Sequence, residues 1–225
     1  MQTSFRSWTT SRRQGHARLP GALERLLRRR GWPERAATAE QVHGSKIAVA
    51  PRLGKSKIYR NADGLLTDVP HQPLAIFTAD CVPVFVADPR RGVVGILHAG
   101  WRGVSRKILP KAVRLMRRRW RSAPRDIRVW TGPAIQRCCF EVRWDVARHF
   151  PSTRRRAPAR SQDSWEVDLA GELERQTRRL GAHWASAKAS RRCTMHDKRF
   201  YSYRRDGTDQ RQVSVIMKKR KHKEE

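Results

Sequence analysis

Three short apolar runs follow one another with no room for a helix between them: residues 74–80, 82–87 and 92–97. Runs this short, rich in Val and Ile and bounded by Asp-Pro or Gly, predict buried strands. The middle run turns back at Asp88-Pro-Arg-Arg-Gly92. A cysteine and a histidine stand at the ends of these strands. Cys81 lies in Thr78-Ala-Asp-Cys81-Val-Pro83, and 17 residues later His98 opens His98-Ala-Gly-Trp-Arg-Gly103. Side chains at strand ends can converge while far apart in sequence, and a third polar ligand type, His43, lies upstream in Gln41-Val-His43-Gly44.

The 225 residues suit one large domain, read here as 1–217 with a separable basic tail over 218–225. Residues 1–20 are polar and read as irregular. Residues 23–30 carry apolar positions 23, 26 and 27 on one helical face, stopped by Gly31-Trp-Pro33. Residues 46–50 and 127–130 read as strands, and Asn61-Ala-Asp-Gly64 as a turn. Residues 103–120 have helical spacing interrupted by Pro110, which marks a kink or a late start. Helices are expected over 144–150 and 167–180, the second starting near Asp168, with an Arg/Pro/Ser-rich loop over 151–163 between them. Residues 212–217 close the chain as a strand. Several strands follow one another without a helix, so an α+β (mixed α/β) fold, a mixed sheet with covering helices, is favoured over strict βαβ winding. Neither GxGxxG nor GxxxxGK[ST] is present, which leaves nucleotide-binding loops without local support.

Charge is the odd global property: 50 Lys+Arg against 20 Asp+Glu, a formal +30. Such a field attracts polyanions regardless of sequence, so adventitious nucleic-acid binding is expected. The excess is spread along the chain, and no zinc-finger or RNP-type motif accompanies it, so basic residues coating every solvated face is the favoured reading. No apolar run approaches the ~18–20 residues of a membrane helix. The opening Met-Gln-Thr-Ser-Phe-Arg-Ser-Trp8 has no hydrophobic signal core, so a cytoplasmic location without membrane attachment is expected. Cys81, Cys138, Cys139 and Cys193 form no CxxC pair and read as reduced thiols, with Cys138 and Cys139 expected to be buried and structural.

Histidine nitrogen and cysteine thiolate are the preferred zinc donors, and a catalytic zinc takes three protein ligands plus an open position. His43, Cys81 and His98 supply that set. Their long separations require the fold to assemble the site. On spacing alone, a buried thiol with two satisfied histidines competes with the metal reading. Glycines close behind both histidines (Gly44, Gly100) let backbone approach a ligand, and Arg102 offers an anion-binding fork beside the metal.

The motifs in order are Gln41-Val-His43-Gly44, Ala62-Asp63-Gly64, the Cys81 and His98 segments, Gly132-Pro-Ala-Ile135, Cys138-Cys-Phe-Glu-Val142, Cys193-Thr194, Ser202-Tyr-Arg-Arg-Asp-Gly207 and Arg211-Gln212. Together they resemble the bacterial purine nucleoside phosphorylase family long labelled polyphenol oxidases or laccase-domain proteins, with peptidoglycan-editing relatives. The match runs from about residue 36 to residue 217. The resemblance implies a layered α/β/β/α fold related to cytotoxic-necrotizing-factor-like cysteine hydrolases. It implies a mononuclear zinc on the residues matching His43, Cys81 and His98. It also implies phosphorolysis of adenosine, inosine, guanosine and methylthioadenosine, with adenosine deamination. The chain departs from the family in a shortened N-terminal region: Thr9-Thr-Ser-Arg-Arg-Gln-Gly15 echoes the family's opening segment poorly, and an Asn-Leu-Gly loop is missing.

On both lines, zinc would polarise a substrate group or activate water. Asp80 is the adjacent proton carrier, and Arg102, Arg204 and Arg205 are the phosphate clamp. Copper is disfavoured: the eight histidines contain none of the His-x-His pairs of multicopper sites. Two rivals are a metal-free cysteine amidase acting on a peptidoglycan precursor, with Cys81 as nucleophile and His98 as base, and a non-enzymatic basic RNA-binding protein.

Overall fold

A computed structural model describes residues 4–157, 163–185 and 191–219. From the N-terminus come β1 (Phe5–Thr9), α1 (Ala22–Arg28), β2 (Ala37–Ala39), β3 (Ile47–Val49), β4 (Lys57–Tyr59) and β5 (Gly64–Thr67). The three expected strands follow as β6 (Leu74–Thr78), β7 (Val82–Asp88) and β8 (Val93–Ala99), then α2 (Trp101–Ser105) and α3 (Ile108–Trp120). Next are β9 (Arg128–Thr131), β10 (Glu141–Val142), α4 (Trp144–Ala147), β11 (Arg154–Arg156) and β12 (Trp165–Val167). The chain closes with α5 (Leu169–Arg179), β13 (His183–Trp184), α6 (Tyr203–Asp206) and β14 (Gln212–Lys218).

The strands form a mixed sheet in the order β1-β14-β6-β2-β4, a second in the order β13-β9-β7-β8-β5-β3, and a small flap β10-β12-β11. Period-two alternation sorts their side chains into layers. In β14, Val213, Val215 and Met217 pack with Leu23, Leu26 and Leu27 of α1, while Ile216 points the other way. In β7, Phe85 and Ala87 join Leu74, Ile76 and Ile96 between the two sheets. Val82, Val84 and Val86 face Val104, Ile108, Leu109 and Met116 of α2 and α3, with Leu169 and Leu173 of α5 beside them. The order is therefore helix, sheet, sheet, helices. Each fully buried Val, Leu or Ile in these layers contributes about 1.5–3 kcal/mol.

Pro110 marks a late helix start. α2 ends at Ser105, Lys107 takes φ +60°, and Pro110 is the third residue of α3, where its missing N–H has no intrahelical partner to lose. Asp168 caps α5 by accepting the Gly171 N–H at 2.8 Å, as expected. Val167, expected inside that helix, instead ends β12.

Other expectations fail for local reasons. Residues 5–9 form a strand, because Phe5 stacks on Trp130 at 5.2 Å and Trp8 meets Trp32 edge-on at 5.7 Å. These long-range aromatic partners leave no short-range periodicity. Within the expected loop 151–163, Arg154–Arg156 is a strand, held by stacking of Arg154 on Trp144 and by the Arg155–Glu166 ion pair at 2.6 Å. Residues 158–162 of that loop lie outside the described residues. The helix expected over 144–150 is the single turn α4. Lys218 of the expected tail is the last residue of β14, Lys219 donates to the Ser4 carbonyl at 3.0 Å, and 220–225 lie outside the described residues. Among the described residues, no helix is long and apolar enough to cross a membrane.

One buried charge fastens the helical layer. Glu172 is 1% exposed; it accepts from Arg175 Nε at 2.8 Å and from Gln176 Nε2 at 2.8 Å, with Lys107 Nζ at 3.4 Å. Burial alone would push its carboxyl up, but the Gln176 hydrogen bond, Arg175 and the Lys107 charge bring it below the ordinary value. A lowered native value means stability that is complete above the unfolded value of about 4.3 and is lost as pH falls through the native one. Glu172→Gln is therefore expected to destabilise by about 1–3 kcal/mol at neutral pH and to flatten the acid limb of the stability curve. Urea unfolding at several pH values checks this, with the exposed Glu174–Arg178 pair as control, where loss should cost under about 0.5 kcal/mol.

Candidate metal centre

β6 belongs to the first sheet and β7 to the second, so Ala79-Asp80-Cys81 carries the chain from one to the other. This crossing bends through Asp80, whose φ is +84°, a left-handed conformation unusual for a residue with a side chain. Three bonds hold it there. The Asp80 carboxylate accepts from Thr194 Oγ1 at 2.6 Å and from the Arg204 N–H at 2.7 Å, and its carbonyl accepts from the Ile135 N–H at 2.9 Å. Cys81 is thereby presented at the sheet edge.

His98 is the penultimate residue of β8, 3% exposed, opposite Pro83 in the β7–β8 register. His43 sits in the β2–β3 connection with φ +57°, and its ring centroid lies 4.8 Å from that of His98. Just before it, Gln41 (φ +63°) clamps Phe77, donating to its carbonyl at 2.6 Å and accepting its N–H at 2.8 Å. This ties the His43 segment to the end of β6. The ligand atoms of His43, Cys81 and His98 all lie within 4.8 Å of one another. One thiol and two imidazoles match the zinc donor set with a position left over. The cradle is tight: a Cβ on Gly100 would meet Cys81 Sγ at 3.0 Å and His43 Cδ2 at 3.4 Å. The residues fit a zinc ion.

Asp63 orders this trio and had no role in the sequence reading. Fully buried, it meets His98 Nδ1 at 2.9 Å through one oxygen and accepts the Gly44 N–H at 2.7 Å through the other. Its backbone carbonyl also accepts the His98 N–H at 2.7 Å. Engaging Nδ1 leaves Nε2 of His98 as the donor, the carboxylate–histidine arrangement that orients metal ligands. The signal was the Ala62-Asp63-Gly64 motif, which the sequence offers as a turn and as one of the family motifs without a role for its carboxylate.

The metal-free electrostatics are those of a thiolate–imidazolium pair. Burial pushes the Cys81 thiol up, but the His98 charge and hydrogen bonds from His43 and His98 bring it down to about 6. Burial pushes His98 down, but the Cys81 charge and the Asp63 hydrogen bond raise it to about 9.

The trio lies in a cavity of about 350 Å³. Its wall includes Gln41, Phe77, Asp80, Ile135, Phe140 and Tyr203, together with the guanidinium-bearing Arg18, Arg204 and Arg211. Of the arginines singled out from sequence, Arg204 lines the cavity, stacks over Phe140 at 5.6 Å and donates to the Glu141 carbonyl at 2.9 Å. Arg102 is not among the lining residues; its guanidinium stacks on Trp101 at 4.4 Å. Arg205 donates to the carbonyls of Thr194, Met195 and Phe200 and pairs with Asp206 at 2.7 Å, which braces the loop behind the cavity. Arg18 was missed because nothing local marks one arginine in so basic a chain, and Arg211, part of the Arg211-Gln212 motif, had been given no role. The N-terminal segment delivers Arg18 where the Ala17 N–H meets the Arg211 carbonyl at 3.0 Å and the Arg211 N–H meets His16 Nδ1 at 3.0 Å. Burial and the adjacent Arg211 charge lower the Arg18 value, opposed by Asp209.

Known proteins resemble the chain in sequence and in fold. The chain is 36% identical over 200 residues to "Purine nucleoside phosphorylase YlmD" of Geobacillus stearothermophilus, covering 81% of this chain and 72% of the relative. It is 32% identical over 196 residues to a purine nucleoside phosphorylase of Haemophilus influenzae, covering 85% and 78%. The crystal structure of Geobacillus stearothermophilus YlmD superposes with a TM-score of 0.77 at 31% identity, covering 88% of this chain and 79% of that one. Residues 10–219 match the family described as multi-copper polyphenol oxidoreductase laccase, and the chain belongs to that family, with relatives that are named purine nucleoside phosphorylases.

Proposed function

We propose that the chain is a zinc-dependent purine nucleoside phosphorylase acting on adenosine, inosine, guanosine and methylthioadenosine, with adenosine deamination as a second activity. The observation that carries this reading is the meeting, in one cavity, of the three-donor trio with Arg18, Arg204 and Arg211. Phosphorolysis needs phosphate held against the anomeric carbon of a bound nucleoside. A phosphate oxygen bonds to C1′ as the N9–C1′ bond breaks, and the departing purine takes up a proton. The guanidinium groups recognise phosphate by charge and paired N–H donors. Phe77, Phe140 and Tyr203 line the cavity and give it apolar surface for the purine. A zinc held by His43, Cys81 and His98 would supply Lewis-acid polarisation of the substrate. Asp63 holds His98 in the required tautomer, and Asp80 shapes the floor. Asp80 is also the proposed proton carrier for deamination, since it is one of the residues lining the cavity. The placement of the arginines favours Arg18, Arg204 and Arg211 over Arg102 and Arg205 as the phosphate clamp.

A second reading has one observation in its favour. A thiol lowered to about 6 beside an imidazole raised to about 9 is the activated pair of a cysteine hydrolase, the class whose fold the sequence resemblance invoked. Zinc-analysed protein incubated with adenosine, with and without phosphate, separates the two. Adenine formed only with phosphate supports the phosphorylase, and inosine formed without phosphate supports deamination. Adenosine left untouched by zinc-loaded protein rejects the purine assignment.

A further inference from the structure

A second group of soft donors lies apart from the trio. Cys138, Cys139, Cys193 and His196 bring their ligand atoms within 4.8 Å of one another. The sequence reading had Cys138 and Cys139 as buried structural thiols. Instead Cys138 is exposed and Cys139 half-buried, because both ride on a turn in which the Cys139 and Phe140 N–H groups donate to the Gln136 carbonyl at 3.0 Å. Cys138 Sγ is 3.7 Å from Cys139 Sγ and 3.9 Å from His196 Nδ1, while Cys139 Sγ is 3.2 Å from His196 Nε2. Sulfurs sharing a tetrahedral zinc at about 2.3 Å stand about 3.8 Å apart, which the cysteine pair already matches. Cys193 is fixed from both sides. Ala134 and Cys193 form a parallel bridge, and the Gln136 N–H points at Cys193 Sγ from 3.5 Å.

We propose that Cys138, Cys139, Cys193 and His196 form a second zinc site, of the Cys3His type. The two sites differ in kind. Three donors at His43, Cys81 and His98 leave a coordination position for substrate, whereas four protein donors close the shell and make a structural site. Its place in the fold gives the closed site a task. The Cys138–Cys139 turn lies between Ile135 and Phe140, both in the cavity wall, and Cys193 precedes Thr194, which holds the Asp80 carboxylate at 2.6 Å. An ion there fastens two separate loops together behind the crossing that presents Cys81. Binding forms metal–sulfur and metal–nitrogen bonds and releases the thiol protons to solvent, with no change of oxidation state.

The test is metal stoichiometry on the whole chain, purified reduced and without chelator, by elemental analysis alongside thiol counting. Wild type is expected to carry two zinc ions per chain, His43→Ala one, Cys139→Ser one, and the double variant none. Cys138→Ser, at an exposed position, gives the same reading if Cys139→Ser fails to fold. In the His43→Ala background, cobalt replacing the remaining zinc should show thiolate-to-metal charge-transfer absorption that weakens in Cys138→Ser. One zinc per chain in wild type with none left in His43→Ala overturns the proposal. So does a cysteine variant that keeps two, or a mass two hydrogens short in a sample prepared without reductant, which would make these thiols a disulfide.

Discussion

Cys81→Ala is expected to lose zinc from the three-donor site and to lower nucleoside phosphorolysis by about 10³-fold, with the fold intact. The trio has no spare ligand among the described residues: removing the thiolate leaves two imidazoles. Lewis-acid stabilisation is worth several kcal/mol, and each 1.36 kcal/mol is about tenfold in rate. The side chain lies at the end of a crossing rather than inside a packed layer, so a small residue there should cost little stability. Zinc content, kcat/KM for adenosine and a thermal melt make the comparison. Strong chelation of wild type, followed by re-addition of zinc, should reproduce and then reverse the loss. Activity that survives chelation but not Cys81→Ala would assign the thiol to nucleophilic attack and favour the hydrolase reading.

Removing the cavity's paired guanidiniums is expected to act on phosphate rather than on nucleoside. Arg18→Ala and Arg211→Ala should each raise the KM for phosphate roughly 10- to 100-fold, since a hydrogen bond to a charged group contributes about 1.5–3 kcal/mol. The KM for nucleoside should move far less. Arg18→Lys keeps the charge but loses the planar fork, so only part of the loss should return. The double variant should fall short of the product of the singles, because the two groups would share one anion. Steady-state kinetics with phosphate varied at saturating nucleoside decide the matter. Unchanged phosphate dependence in both variants would move the clamp elsewhere on the wall.

The sequence was informative where the chemistry is local. Consecutive apolar runs announced β6, β7 and β8, Pro110 marked a kink or a late start that proves to be the first turn of α3, and Asp168 announced the start of α5. His43, Cys81 and His98 were recognisable as zinc-type donors, and the fold brings their ligand atoms together. Long-range partners were hidden. β1 depends on Trp130 and Trp32, which lie far along the chain, and Arg18 gains its meaning only when Arg211 comes beside it. Arg102 attracted attention by proximity to His98 in sequence, but α2 turns its guanidinium onto Trp101. The histidine partner of Asp63 could not be seen before β5 and β8 pair.

The crossing between the two sheets also bears on the order of events as the chain folds. Cys81 stands 38 residues from His43 and 17 from His98, and the three meet only after β6 and β7 have joined different sheets. Closing loops of that length early carries an entropic penalty with no contacts yet formed to offset it. A metal ion at this trio would therefore find its three donors together only once the scaffold is built. An ion held there would be exchangeable without unmaking the protein, in contrast to zinc fingers, where the ion is the nucleus of folding.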